Sequence, residues 1–128
     1  MTNGNQKGKR GERFVANWLR EAFNLSARRG QQYCGANGDA DVVGGFPNTH
    51  CEVKFVEALN LNKAMAQAVA DCKDEIPYIA HKKNRHDLLI TIRATDLMAF
   101  AESVVSTKHD NTLCQKKHTQ MDGANISV

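Results

Sequence analysis

Long apolar runs are missing from this sequence. No segment approaches the roughly 20 consecutive apolar residues that a membrane-spanning helix needs, so we expect no membrane partner. The basic N-terminal stretch is not followed by an apolar segment, and it therefore lacks the pattern of a secretory signal. With 41% hydrophobic and 24% charged residues, the 128-residue chain has the composition of one globular domain with a single core.

Paired metal-ligand spacings are missing as well. The cysteines form no Cys-x-x-Cys pair, and the five histidines do not stand at zinc-finger spacing. We therefore expect reduced thiols in a cytoplasmic protein rather than a structural zinc site or a disulfide framework. Two of the four cysteines, Cys51 and Cys72, fall on predicted core faces, where a thiol acts as a small hydrophobic group.

A strong excess of one charge is also absent, since the net charge is only +3. The distribution of the basic residues is more informative than their sum, because they are clustered. Clusters of this kind engage phosphates, and solubility is the competing explanation for each. The basic residues that we predict to contact nucleic acid are Lys7, Lys9, Arg10, Arg13, Arg28, Arg29, Lys63, Lys82, Lys83 and Arg85.

A predicted hairpin in the middle of the chain carries the most distinctive pattern. Strands are expected over Ala40–Val43 and His50–Phe55, joined by a turn over Gly44–Asn48 that is rich in strand-breaking residues. Side chains alternate along a strand, so Glu52 and Lys54 share one face. The opposite, apolar face consists of Cys51, Val53 and Phe55.

A carboxylate and an ammonium group on one face of such a hairpin have two explanations. The first is a solvated face on which Glu52 and Lys54 form a surface salt bridge. The second is a functional site, because charged side chains are rarely buried unless they are paired or bind a metal. The context favours the second explanation, since Asp41 precedes Glu52 by eleven positions and Glu12 lies on a predicted helix upstream.

This arrangement resembles the PD-(D/E)xK nuclease superfamily, with alanine rather than proline before Asp41. Within that superfamily the sequence most resembles archaeal and phage-type Holliday-junction resolvases. The resemblance covers roughly residues 7 to 105 and rests on Lys9-Arg10-Gly11-Glu12-Arg13, Asp41-Val42-Val43, Glu52-Val53-Lys54, Gln67, Ile76-Pro77 and the segment from His81 to Ile92.

The resemblance implies site roles for two residues outside the hairpin. It makes Glu12 a further acidic group of the catalytic site. Without the resemblance, Glu12 would be expected to interact with the positive end of the helix dipole or to form an ion pair with Arg13. It makes Gln67 a catalytic support on the second helix, whereas an ordinary boundary residue is the alternative. It also implies a homodimer, because two symmetric cuts need two active sites.

Phosphodiester hydrolysis explains the residue types of the predicted site. Mg²⁺ prefers one or two carboxylates together with water and substrate oxygens, and Mn²⁺ can substitute for it. Asp41, Glu52 and the backbone carbonyl of Val53 are the predicted ligands, and Lys54 would orient the attacking water or stabilise the transition state. Asp39 would share the face of Asp41, but Asp41 directly precedes the two valines, as in the family pattern.

The predicted fold class is α/β, a restriction-endonuclease-like mixed sheet flanked by helices in the order α-β-β-β-α-β-β-α. A parallel crossover is expected around the second helix. The predicted domains are a flexible N-terminus over residues 1–6, a nuclease domain over 7–105 and a polar, mobile tail over 106–128. The predicted helices cover Lys7–Asn24, residues 61–73 after an Asn60 cap, and a segment after Thr95 or Asp96; further strands are expected over Leu25–Gln32, from Tyr78, and over Leu88–Ile92.

The leading functional hypothesis is a Mg²⁺-dependent, structure-selective DNA endonuclease that resolves four-way junctions, in a bacterial host cell if the gene belongs to a phage. A second hypothesis keeps the chemistry and changes the substrate to duplex or flapped DNA. Base-specific cutting would need an element that reads the major groove, and the chain has no obvious module for this. A third hypothesis is a nucleic-acid-binding module without catalysis.

Overall fold

The computed structural model describes residues 4–30 and 40–107. Residues 31–39, which include Cys34 and Asp39, and residues 108–128, which include Cys114 and most of the predicted tail, lie outside the described residues. Within them, no helix is long and apolar enough to cross a membrane.

The elements follow the predicted order. They are α1 (Gly4–Phe23), β1 (Arg28–Arg29), β2 (Val42–Val43), β3 (Thr49–Phe55), α2 (Leu61–Asp71), β4 (Ile76–Lys82), β5 (Leu89–Ile92), a 3-10 turn (Ala94–Asp96) and α3, which covers residues 97–107. Asn60 caps α2 as predicted, because its side-chain oxygen accepts the Lys63 N–H at 3.0 Å.

The five strands form one mixed sheet in the order β1-β2-β3-β4-β5. The strands β3 and β4 are parallel, and the other three neighbouring pairs are antiparallel. The parallel pair is the one joined through α2, as the sequence predicted, because parallel neighbours need a crossover connection. The α/β sheet flanked by helices is therefore confirmed.

The two faces of the sheet hold separate cores. On one face, α1 contributes Val15 and Leu19, which pack with Phe46 and Tyr78, and Cys51 of β3 joins them. On the other face, Ala64 and Ala68 of α2 pack against Ile79 of β4 and form a second, smaller core. Cys51 and Cys72 are both buried and free, in agreement with their predicted core positions.

Pro77 lies inside β4, although the strand was expected to begin only after it, at Tyr78. It is the second residue of β4 and pairs in register with His50 of β3. The preceding N–H, that of Ile76, donates to the Asn48 carbonyl on the β3 side, so the nitrogen of Pro77 points to the other side of the strand. There β5 pairs only from Tyr78 onward, and the missing N–H therefore has no ladder partner to lose.

Three further sequence-based assignments differ from the structure. Strand β1 has only two residues between 24 and 30, where a longer strand was expected. The apolar, β-branched residues of β5 predict a buried strand, but β5 is an edge strand with Leu89 55% exposed. Helical spacing predicts one inward face of α3 made of Leu97, Phe100, Ala101, Val104 and Val105. Only Phe100 and Val104 pack on the core, whereas Leu97 and Val105 are more than half exposed. Buried Ser103 takes an inward position instead, because its hydroxyl donates to the Pro47 carbonyl at 2.5 Å.

Two adjacent valines of α3 test this orientation. Val104→Ala should lower the free energy of unfolding by about 1 kcal/mol, because it removes methyl groups that pack on the core. Val105→Ala is the matched control, with the same chemical change at an exposed position, and should change stability by less than about 0.5 kcal/mol. Urea unfolding measures both, and an equal loss in the two variants would contradict the orientation of α3.

Candidate active site

Asp41 and Glu52 meet because of the pairing between β2 and β3. Val42 is opposite Cys51 in this register, and both side chains lie in the core under α1. The neighbouring residues Asp41 and Glu52 consequently face the other side of the sheet, toward α2. The Val53 N–H donates to Asp41 Oδ2 at 2.8 Å and fixes the Asp41 carboxylate beside β3.

The electrostatics of this pair show that the two carboxylates are close. The pKa of Asp41 is raised from 3.8 to about 6, mainly because the side chain is largely buried and then because the negative charge of Glu52 is near. The Val53 N–H opposes this shift, and the charge of Glu12 adds to it. Glu52 itself is only 7% exposed. Two ionised carboxylates repel each other in such a largely buried environment. A bound cation would reduce this repulsion.

Glu12 reaches the same region from α1. Its carboxylate accepts the Arg29 Nε–H at 2.9 Å, so strand β1 and helix α1 are joined by an ion pair at the edge of the site. The alternative role of Glu12, an ion pair with Arg13, is not what the structure shows. Arg29, for which DNA contact stays a prediction, is the ion-pair partner of Glu12.

Lys54 follows Glu52 on the same face of β3, and its register partner on β4 is His81. Among residues 8–30 and 40–107, no hydrogen bond or ion pair involves the Lys54 ammonium group, so the surface salt bridge with Glu52, which was the alternative explanation, does not form there. Burial lowers the pKa of His81, whose Nε2 contacts Thr91 Oγ1 at 2.8 Å. The lowered pKa favours the neutral form of the imidazole that lies beside Lys54 in the register.

Gln67 lies on the exposed side of α2. Its amide donates to Asp71 Oδ2 at 2.9 Å, within the same helix. The described contacts connect it with Asp41, Glu52 or Lys54 only through Asp71, whose carboxylate lies near Glu52. The catalytic role of Gln67 therefore stays a prediction.

The sequence analysis did not assign a role to His50, which the structure places next to Glu52. His50 is completely buried, and its Nε2 contacts Glu52 Oε1 at 2.9 Å. Burial by itself lowers the pKa of His50, but the hydrogen bond and charge of Glu52, with Glu75 and Asp71, outweigh this effect and raise it. The signal was in the sequence, because residues 50 and 52 of one strand share a face.

Most of the basic residues predicted to contact nucleic acid are at the surface. Lys82 differs from the others, because its ammonium group lies 5.7 Å from the centre of the Phe14 ring. The side chain of Lys7 is not described, although its backbone belongs to α1. The exposed members of the set are Lys9, Arg10, Arg13, Arg28, Lys63, Lys83 and Arg85.

The donor set fits a divalent cation. Asp41 and Glu52 offer two carboxylates, and the N–H contact to Asp41 places the backbone of Val53 beside them. Oxygen ligands of this kind suit Mg²⁺ and Mn²⁺. The predicted assignment of Asp41, Glu52 and Val53 as ligands remains a prediction that this geometry permits.

The raised pKa of Asp41 predicts how stability depends on pH in the absence of metal. A carboxyl group whose folded-state pKa exceeds its unfolded value favours folding below about pH 4, and this stabilisation is lost as the pH rises through about 6. Asp41→Asn cannot ionise, while its side-chain oxygen can still accept the Val53 N–H. Its stability relative to the original chain should therefore increase by on the order of 1 kcal/mol between pH 5 and pH 8.

Urea unfolding at the two pH values, with EDTA present, measures this difference. Asp74→Asn provides the control, because Asp74 is exposed. Parallel pH profiles for the Asp41→Asn variant and the original chain would show that Asp41 does not carry the effect.

Comparisons with known proteins agree with the architecture. No protein-family model and no curated protein matches the chain. Among solved structures, the chain is similar to Hjc, a Holliday junction resolvase from the archaeal hyperthermophile Archaeoglobus fulgidus, with a TM-score of 0.50 and 24% sequence identity. The match covers 67% of this chain and 72% of that one. At this level of identity the likeness shows the fold, a restriction-endonuclease-like mixed sheet flanked by helices.

Proposed function

We propose that the protein is a divalent-metal-dependent DNA endonuclease that cuts four-way junctions. The observation that carries the proposal is the meeting of Asp41 and Glu52 on the α2-facing side of β2 and β3, with Lys54 two residues further along the same face. The resolvase-like fold supports a nuclease role. Mg²⁺ is the proposed cofactor, and Mn²⁺ should substitute for it.

Each residue of the proposed site has a physical task. Asp41 and Glu52 hold the cation, which supplies charge neutralisation and a more acidic water at the scissile phosphate. The Asp41 carboxylate is held in place by the Val53 N–H. Glu12 adds negative charge at the edge of the site, and the Arg29 guanidinium balances that charge.

Lys54 is the proposed positive partner of the reacting phosphate. A lysine ammonium group is a compact charge, and it suits the negative charge that builds up as water attacks phosphorus. Its place on β3 next to Glu52 puts it beside the cation site rather than on the outer surface. The neutral His81 across the strand pair does not compete for the same anion.

The proposed substrate is branched DNA because the domain presents exposed basic residues but no obvious element that would read bases in the major groove. The exposed basic residues of α1 and of the turn after β4 would contact phosphates, which fixes orientation without reading bases. Resolution of a junction requires a pair of symmetric cuts, so the proposed working form is a homodimer with two sites related by a two-fold axis.

The direct test incubates the protein and Mg²⁺ with a labelled four-way junction, the matched duplex, a flap and a single strand. Paired symmetric nicks in the junction alone are expected, and Glu52→Gln should abolish them while junction binding persists. Cutting of duplex or flap at a similar rate would contradict junction selectivity. Tight binding without metal-dependent cutting of any substrate would overturn the nuclease itself and favour a binding module.

Lys54→Ala separates a catalytic role from a structural one. Loss of the ammonium group should reduce the cleavage rate by about 100-fold or more, because a charge aimed at the developing transition state is removed. The melting temperature should stay within a few degrees, since Lys54 has no ion-pair partner in the described part of the chain. A large drop in melting temperature with an equal loss of DNA binding would place Lys54 in a structural contact.

The turn after β4 should contribute to binding through phosphate contacts. Lys83→Gln combined with Arg85→Asn removes two exposed charges, and asparagine is chosen because Arg85 has a positive φ of 66°. The double variant should bind junctions more weakly, and the slope of log K against log salt should fall by about one to two. The control Lys73→Asn changes an exposed lysine after α2, also with positive φ. Identical salt slopes for the double variant and the original chain would exclude this turn from the DNA surface.

A further inference from the structure

His50 and Glu52 form a buried polar pair directly beneath α2. His50 is 0% exposed and Glu52 7% exposed, on the face of β3 that also carries Lys54. The other buried polar residues of the described chain, Ser103 and Thr107, are bonded to backbone carbonyls. The buried imidazole, in contrast, contacts a carboxylate that belongs to the candidate cation site, and this contact needs an explanation.

The contact fixes both the tautomer of His50 and the orientation of Glu52. An ionised carboxylate can only accept, so the 2.9 Å contact requires a proton on His50 Nε2 that is donated to Glu52 Oε1. The imidazole is enclosed on all sides and cannot turn away from this position. A glutamate side chain has three rotatable bonds, and the hydrogen bond selects one arrangement of them.

A hydrogen-bond donor also holds the carboxylate of Asp41. The Val53 N–H donates to one oxygen of Asp41, just as His50 donates to one oxygen of Glu52. Each carboxylate is thus oriented by a hydrogen-bond donor of β3. Carboxylates that ligate metals generally have such hydrogen-bonding partners, and the loss of a partner typically weakens metal binding 10- to 100-fold.

We propose that His50 is a positioning residue of this site, which holds Glu52 through Nε2–H so that Glu52 and Asp41 together bind one divalent cation. The inference rests on the proposed cation site, but not on cleavage of any particular DNA. Without the donor, Glu52 can turn away from Asp41, which it repels, and the two carboxylates no longer present a common site.

Direct ligation by His50 is the competing arrangement. Ligand atoms of His50, Glu52 and Asp71 all lie within 4.8 Å of one another, and His50 Nδ1 has no hydrogen-bond partner among the described residues. Two features favour positioning. Nδ1 lies 3.8 Å from Glu75 Oε1, away from the bonded Nε2, and an imidazole with no exposure leaves no room for the waters that Mg²⁺ retains.

The test measures Mn²⁺ binding to the full chain by electron paramagnetic resonance, without DNA. His50→Leu keeps the apolar bulk and removes the donor, and the dissociation constant for Mn²⁺ should rise at least 10-fold. His50→Gln carries an amide that can donate to Glu52, and it should recover most of the affinity. If the leucine variant does not fold, His50→Asn, which is too short to reach Glu52, replaces it.

Ser103→Ala is the matched control. It also removes a buried hydrogen bond, but one that joins α3 to Pro47 instead of touching Glu52, and it should bind Mn²⁺ like the original chain. If it weakens binding as much as His50→Leu does, the effect follows loss of stability and the positioning role is overturned. Unchanged affinity in His50→Leu overturns it as well.

Two further readouts separate the alternatives. Nitrogen hyperfine coupling to the bound Mn²⁺ that disappears in His50→Gln would show ligation and overturn positioning. In junction cleavage, His50→Leu should raise the Mn²⁺ concentration needed for half-maximal rate more than it lowers the rate at saturation. If the binding series behaves as expected and no DNA is cut, positioning stands and the nuclease proposal fails; if the original chain binds no Mn²⁺ at millimolar concentration, positioning fails too.

Discussion

The register between β2 and β3 determines where the two carboxylates of the candidate site lie. Because Val42 lies opposite Cys51 and both enter the core, the adjacent Asp41 and Glu52 are directed to the opposite face of the sheet and toward each other. Burial and mutual repulsion then raise the pKa of Asp41 to about 6. A slip of one strand by one residue would turn its carboxylate into the apolar core and separate Asp41 from Glu52, so the packing under α1 also fixes the candidate site.

Hydrogen-bond donors compensate for this repulsion without neutralising it. The Val53 N–H holds Asp41, the His50 imidazole contacts Glu52, and Arg29 pairs with Glu12 at the edge. The arrangement orients three acidic groups, and the pKa of Asp41 stays raised although these donors are present. In the absence of metal, ionisation of Asp41 at neutral pH lowers the free energy of unfolding. A divalent cation bound to these carboxylates would raise it again, and metal binding would thereby be coupled to folding.

The parallel crossover explains why the site and the hydrophobic core do not compete. Helix α1 covers one face of the sheet with large side chains such as Leu19, and Phe46 from the turn between β2 and β3 packs in the same cluster. Helix α2 covers part of the other face with alanines, and its small side chains allow close packing while polar groups of β3 remain beside it. The charged residues of β3 therefore occupy the face with the thinner apolar layer.

The sequence alone predicted the order of elements, the apolar face of β3, the Asn60 cap and the shared face of Glu52 and Lys54, because each depends on local periodicity or on capping. Tertiary structure decided the rest. Pro77, which has no backbone N–H, fits into β4 because β5 does not pair with the strand at that position. Val105 of α3 is exposed because only one side of that helix packs on the core. Arg29 binds Glu12 and His50 binds Glu52 through contacts whose geometry depends on how strands and helices pack, which periodicity does not encode.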